Sequence, residues 1–337
     1  MAWLEQTIRR YEHRRWTADD NRRVFPFEWG TEHIGGRREE PDPRGFLDSW
    51  AQFTVENSAD WFATNPAEDY RLNDGVLTFS SQVESPWPEN NLVHARFFPA
   101  KKSGPAVVVL PNWNAKWDGQ VDLCRWLNRW GVTALRLSLP YHDRRRIPGH
   151  ERADYLVGPN IGLTLQANRQ AVTDTRRCLR WLESQGYTRL GLLGTSIGSS
   201  IGYITLAHDA LLRAGAFLHV STYFADVVAS GMSTMHVWES LRTKVTLDEL
   251  RRYWSPISPY PYVLRGLGSE KPTYMVCGLY DPTFWWEYTE QMLATLKDNG
   301  TNHKALVLHC GHYSLELPPW SWVAGFRLAE FLFYHLA

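Results

Sequence analysis

The five residues Gly194-Thr195-Ser196-Ile197-Gly198 hold a serine between two glycines at a spacing that suits covalent catalysis. An apolar run, Leu190-Gly191-Leu192-Leu193, precedes them, and the small-residue stretch Ser199-Ser200-Ile201-Gly202 follows. The segment therefore reads as a buried strand turning sharply into a helix, with the serine Oγ projecting above a sheet. Side chains at the two flanking positions would collide where strand and helix close up, which is why both are glycine. The N–H of Ile197, at the helix start, would point at the oxyanion formed when Oγ attacks an acyl carbon. An ordinary glycine/serine helix start carries the same letters, so this reading needs a base and an acid elsewhere in the chain.

Two later segments offer them. Thr273-Tyr274-Met275-Val276-Cys277-Gly278-Leu279-Tyr280-Asp281 is an apolar strand ending in a turn with an acid. Lys304-Ala305-Leu306-Val307-Leu308-His309-Cys310-Gly311-His312 is another strand, ending in Gly-His. A serine hydroxyl is scarcely ionised at neutral pH, whereas imidazole, with a reference pKa of about 6.5, can take its proton and return it to a leaving group. A buried carboxylate on the far ring nitrogen would fix the tautomer and stabilise the imidazolium.

The order Ser196, Asp281, His312 resembles that of the α/β-hydrolase superfamily, and the resemblance runs from about Val76 to the C-terminus. It is carried by Gly194–Gly198, by Gly278-Leu279-Tyr280-Asp281-Pro282 and by Gly311-His312. The resemblance implies Ser196 as nucleophile, His312 as general base and Asp281 as the residue that orients it. It also implies a second oxyanion donor in the loop after the strand Ala106–Leu110, here Pro111-Asn112-Trp113-Asn114-Ala115. Many relatives carry His-Gly where this chain has Pro111-Asn112, which leaves the donor open between Trp113, the first choice, and Asn114. The HGGG run of one lipase and esterase branch is missing. The resemblance thus points to the serine esterase and dienelactone-hydrolase-like branch or to the acyl-peptidase-like branch.

Other residues compete for these roles. His309 is an alternative base, although its place inside an apolar strand suits a satisfied core histidine. Asp226 follows the strand after the elbow helix, where some relatives place the acid; it also suits a helix start. His142, at the end of the strand Thr133–Leu139, would line the pocket or sit on a solvent loop. Arg144-Arg145-Arg146 beside it suits an acidic substrate or a solvated face. Seventeen tryptophans are the compositional oddity, and several fall near the expected catalytic loops. Among them Trp238 and Trp285, with Asn114 and His142, are expected to line a substrate pocket.

A chain of 337 residues suffices for one large α/β domain. Lys plus Arg and Asp plus Glu both number 36, so no global basic field would draw in nucleic acid. No run of about 18 apolar residues or signal-like N-terminal segment is present, so no membrane span and a cytoplasmic location are expected. The four cysteines form no C-x-x-C pair and are expected to be buried thiols. No metal or organic cofactor is called for, and the expected partner is a small-molecule acyl substrate.

Residues 1–75 read as a helical N-terminal extension, with helices over Trp3–Trp16 and Phe46–Phe62. Residues 76–337 read as the α/β-hydrolase core. Val76–Ser81 and Leu92–Phe98 alternate like antiparallel edge strands. From Ala106 the pattern becomes strand, helix, strand, which predicts a mostly parallel sheet with helices on both faces. Helices are expected over Val121–Trp130, Leu163–Glu183 and Trp320–His335, and strands over Leu190–Leu193 and Gly215–Val220. Over 222–268 the rhythm breaks, with Met232, Met235, Trp238 and Leu241 at helical spacing, and a cap insertion is expected there. The resulting expectation is a serine hydrolase acting on a carboxylic ester, thioester or amide. Acyl transfer on the same triad, or a non-catalytic binding protein of this fold, are the alternatives.

Overall fold

In a computed structural model, residues 2–18, 21–100 and 104–337 are described. Among the described residues nine strands form one sheet: β1 Arg71–Asn73, β2 Val76–Ser80, β3 Leu92–Phe98, β4 Ala106–Leu110, β5 Thr133–Leu137, β6 Leu190–Thr195, β7 Leu212–Leu218, β8 Thr273–Gly278 and β9 His303–Leu308. Their order is β1-β2-β3-β5-β4-β6-β7-β8-β9. The first three run antiparallel and the remaining six parallel, as expected. Only β1, a short exposed strand at the outer edge, was not foreseen.

The helices are α1 Ala2–Thr17, α2 Pro43–Glu56, α3 Ser58–Trp61, α4 Pro88–Asn91, α5 Val121–Arg129, α6 Ile161–Ser184 and α7 Ile197–His208. They continue with α8 Phe224–Ser230, α9 Met235–Leu241, α10 Leu247–Tyr253, α11 Tyr260–Leu264, α12 Trp286–Asp298 and α13 Trp320–Leu336. The apolar runs of the central strands are buried on both faces, so successive side chains enter different cores. Val108 and Leu110 of β4 pack with α6 and α7 residues such as Leu165, Leu179 and Ile201. Val107 and Val109 pack instead with Leu127 of α5 and Leu328 of α13. None of the described helices is long and apolar enough to cross a membrane. The four cysteines are buried free thiols.

The N-terminal extension is attached at two separate places. The expected single helix over 46–62 breaks at Asn57, which caps α2 and leads into α3. Arg169 and Arg177 of α6 donate to the carbonyls of Trp61 (2.8 Å) and Asn65 (3.1 Å). That cover explains why α6 is buried on nearly every side rather than along the single stripe its apolar spacing suggests. The other helix, α1, lies elsewhere, against the Ser314–Glu316 turn that follows β9.

In the parallel part of the sheet, the loops at the carboxyl ends of the strands gather along one edge. The order reverses at β5-β4-β6, which opens a crevice between the loop after β4 and the start of α7. Residues 224–264, between β7 and β8, form the short helices α8 to α11 beside this crevice.

Candidate active site

Ser196 sits between β6 and α7 with φ 58° and ψ −121°, a backbone conformation that non-glycine residues rarely adopt. The turn is held by close approach of main chain on both sides. A Cβ at Gly194 would overlap the carbonyl of Gly198, and one at Gly198 would overlap that of Leu110. Ser199, which sequence reasoning passed over as a small helical residue, bolts the turn. Its Oγ donates to the carbonyls of Gly194 (2.9 Å) and Leu218 (2.6 Å). Among the described residues, Ser196 Oγ makes no hydrogen bond. It opens onto a cavity of about 1250 Å³ that His312 also lines.

Asp281 and His312 meet as the chain order suggested. His312 Nδ1 lies 3.0 Å from Asp281 Oδ2. Asp281 Oδ1 accepts from the N–H groups of Thr283 (2.7 Å) and Phe284 (2.8 Å), which fixes the carboxylate. The Phe284 ring stacks on the His312 ring at an interplanar angle of 3°. With Nδ1–H donated to the carboxylate, Nε2 of the neutral ring is the free acceptor. Burial alone would push the Asp281 pKa up, but the His312 and His219 imidazoles outweigh it and hold the carboxyl well below its usual range. Burial would likewise lower His312; the charge and hydrogen bond of Asp281 outweigh it and leave its pKa raised above 6.5.

His219 is a further residue that sequence reasoning missed. It ends β7 in the left-handed region at φ 60°, fully buried, with Nδ1 2.6 Å from Asp281 Oδ2 and its ring 4.4 Å from that of His312. Its pKa is lowered, chiefly by burial and then by His312. The available signal was its place at a parallel strand's carboxyl end, the position the reading gave to Asp226. Asp226 instead lies in the first turn of α8, buried and paired with Arg251 at 2.7 Å. His219, Asp281 and His312 bring three ligand-type atoms within 4.8 Å of one another. These donor types suit zinc, although both Nδ1 atoms already face the carboxylate.

The turn after β9 is clamped from the far end of the chain. Glu12 of α1, 1% exposed, accepts from the N–H groups of Tyr313 (2.9 Å) and Ser314 (2.8 Å). Its side chain lies against Gly311, where any Cβ would run into the carboxylate.

The loop after β4 narrows the oxyanion question. The Asn114 N–H donates to His142 Nε2 at 2.8 Å, and Asn114 Oδ1 accepts from Ala153 N at 2.7 Å. Among the described residues, the N–H groups of Trp113 and Ile197 have no acceptor. Asn114 does line the large cavity. His142 does not line either cavity, a correction to the sequence expectation. It is wholly buried, with Nδ1 2.9 Å from the Pro140 carbonyl, and burial pushes its pKa down to about 4. A neutral His142 thus donates from Nδ1, accepts at Nε2 and props the loop from behind.

Trp238 and Trp285 also fall outside both cavities. Trp238 packs against the core, and Trp285 is 45% exposed with Nε1 on the Pro282 carbonyl at 3.1 Å. His309 is exposed rather than a core residue, because β9 is the outermost strand and its side chains largely face solvent. A second, small cavity of about 40 Å³ also reaches Ser196 and shares Trp113 and Ser233 with the first. Ile197, Phe224, Val227, Val228 and Phe284 give it apolar walls.

Residues 162–314, a little under half of the chain, match the prolyl oligopeptidase family. No curated protein matches the chain. Among solved structures, an esterase of Pyrococcus furiosus is similar at 15% identity and TM-score 0.55, over 80% of this chain and 92% of that one. Acetyl xylan esterase 1 from Thermoanaerobacterium is similar at 12% identity and TM-score 0.57, over 85% and 93%. The acylaminoacyl peptidase of Pyrococcus horikoshii is similar at 12% identity and TM-score 0.56, over 80% of this chain. This chain spans only 42% of that peptidase's length. Likeness at these identities speaks for the fold. Together with the strand order, it shows that the chain has the α/β-hydrolase fold, within which residues 162–314 match the prolyl oligopeptidase family.

Proposed function

We propose that the chain is a serine hydrolase that cleaves a carboxylic ester through an acyl-enzyme on Ser196, with His312 as general base and Asp281 as the residue that orients it. The observation that carries this is the shared cavity of Ser196 and His312, with the His312 ring held on Asp281 at 3.0 Å. As Oγ attacks, its proton passes to His312 Nε2, and Asp281 stabilises the imidazolium. The N–H groups of Ile197 and Trp113 receive the oxyanion; Asn114 does not, because its N–H is spent on His142. The match to the prolyl oligopeptidase family and the likeness to two esterases support acyl transfer to water. Thioesters and amides would follow the same steps.

The small apolar cavity beside Ser196 has room for only a short acyl chain. Six of its wall residues, Tyr223, Phe224, Val227, Val228, Ser233 and Thr234, come from the stretch 222–268, which supports reading it as a cap that shapes the acyl site. The large cavity leaves water a path to the acyl-enzyme, which favours hydrolysis over transfer to another alcohol. Steady-state hydrolysis of 4-nitrophenyl esters tests this reading. Acetate and propionate esters should turn over faster than octanoate, and Ser196→Ala or His312→Ala should lose on the order of 10⁶-fold in kcat. Undiminished turnover in either variant would overturn it.

A further inference from the structure

The arginines around the large cavity bear on the part of the substrate that leaves. The run Arg144-Arg145-Arg146 is not one solvated face. Arg145 turns into the core and pairs with Asp174 at 2.9 Å, both side chains fully buried. Arg144 and Arg146 line the cavity that holds Ser196 and His312. Among the described residues, neither side chain forms an ion pair or a hydrogen bond. Arg144 lies over the Trp117 ring at 4.5 Å, which leaves the edge of its guanidinium open. The Nε of Arg146 is buried without an acceptor. A buried donor left unsatisfied is costly, and a planar anion is what a guanidinium fork is shaped to satisfy.

The cavity's own carboxylates do not fill that need. Asp143 is committed to Arg136 at 2.6 Å, both fully buried. Asp122 pairs with Arg125 at 3.3 Å, and Glu151 accepts from Asn21 at 3.1 Å. Asn21 is neutral, so among the described residues the carboxylates without a cation are Asp118, Glu151 and Glu316, against Arg15, Lys116, Arg144 and Arg146, and the balance of unpaired charge lining the cavity is positive. The arginines also stand close to the chemistry. Their segment braces the loop after β4 through His142 to Asn114, and through Ala153 to Asn114 Oδ1 and Trp113 Nε1 (3.0 Å). With the acyl chain in the small apolar cavity, which neither arginine lines, the leaving group would occupy the large cavity that both line.

Resting on the esterase reading above, we propose that the preferred substrate is a short-chain acyl ester of an alcohol or phenol that itself carries an anionic group, a carboxylate or a phosphate. Ser196 Oγ forms the new C–O bond and passes its proton to His312. The bond from the acyl carbon to the leaving oxygen breaks, that oxygen takes the proton back, and the anionic alcohol departs. Water then hydrolyses the acyl-enzyme, with His312 again moving the proton.

The test compares 4-acetoxybenzoate and 4-acetoxyphenyl phosphate with methyl 4-acetoxybenzoate, each enzymatic kcat/KM divided by the spontaneous rate. The wild type should favour one or both anionic esters by about tenfold or more, an advantage that shrinks as salt rises. Arg144→Gln/Arg146→Gln should abolish it, Arg144→Lys/Arg146→Lys should retain part of it, and thermal melting reports whether each variant folds. Equal rates for all three esters in the wild type would overturn the proposal, as would an advantage that survives in the folded glutamine variant. Preference for 4-nitrophenyl hemiglutarate over 4-nitrophenyl pentanoate, with no preference among the acetates, would place the anion on the acyl side and also overturn it. Fluorophosphonate labelling of Ser196 separates the two failures. Labelled enzyme without anion preference refutes only this proposal, while unlabelled folded enzyme refutes the esterase reading beneath it.

Discussion

The turn that carries Ser196 and the turn that carries His312 face one cavity but are held by different means. Around Ser196 the main fastenings are near in sequence: Ser199 Oγ reaches carbonyls 5 and 19 residues away, and Gly194 nests on Gly198. Around His312 the fastening comes from a carboxylate 301 and 302 residues away, on a helix outside the sheet. The first turn is set largely within a short stretch of chain, with Leu110 of β4 closing on Gly198. The second is complete only when α1 has docked. A residue can therefore be essential to the geometry of this site while lying in a segment that resembles nothing in the hydrolase core.

This contrast can be broken at either end. Asp281→Asn removes the charge and tautomer control that His312 needs, and kcat should fall by about 10⁴-fold with the fold intact. Steady-state kinetics beside a thermal melt would check both halves. Gly198→Ala drives a Cβ into the carbonyls of Leu110 and Pro111. It should cost about 1–3 kcal/mol or more, with stability and turnover lost together because the elbow is part of the core.

Glu12→Gln probes the other turn more gently. It keeps an acceptor but loses a charge-assisted hydrogen bond, so kcat should fall about 10- to 100-fold while global stability falls little. A merely structural role would leave the pH profile in place, and here it should move. The Glu12 charge is one of the groups that raise the His312 pKa. The base must be unprotonated, so kcat/KM in the wild type should rise with pH through a midpoint above 6.5. In Glu12→Gln that midpoint should shift to lower pH, and in Asp281→Asn further still. A profile unchanged in Glu12→Gln would reduce α1 to packing.

The legibility of the sequence follows the same division. The glycines of the elbow, the apolar runs of β4 to β8 and the Gly-His after β9 are local patterns, and each is where its pattern placed it. What could not be read depends on partners remote in the chain. Nothing near Glu12 signals that its carboxylate is buried, since an acid on a charged helix ordinarily faces water. Arg145 looks like its neighbours until Asp174 is brought to it. His309 sits in an apolar run that suggests a core, but strand order makes β9 the outermost strand and turns that run toward solvent. His219 was hidden differently: it stands at an informative strand end, but a single histidine without a recognised partner carries no local mark.

The claim on which the rest depends is that Ser196 is an activated nucleophile. Intact-mass spectrometry after incubation with a fluorophosphonate tests it directly, on the wild type and on Ser196→Ala. The account predicts one covalent adduct on the wild type and none on the variant. No adduct on well-folded wild type, or an equal adduct on both, would contradict it.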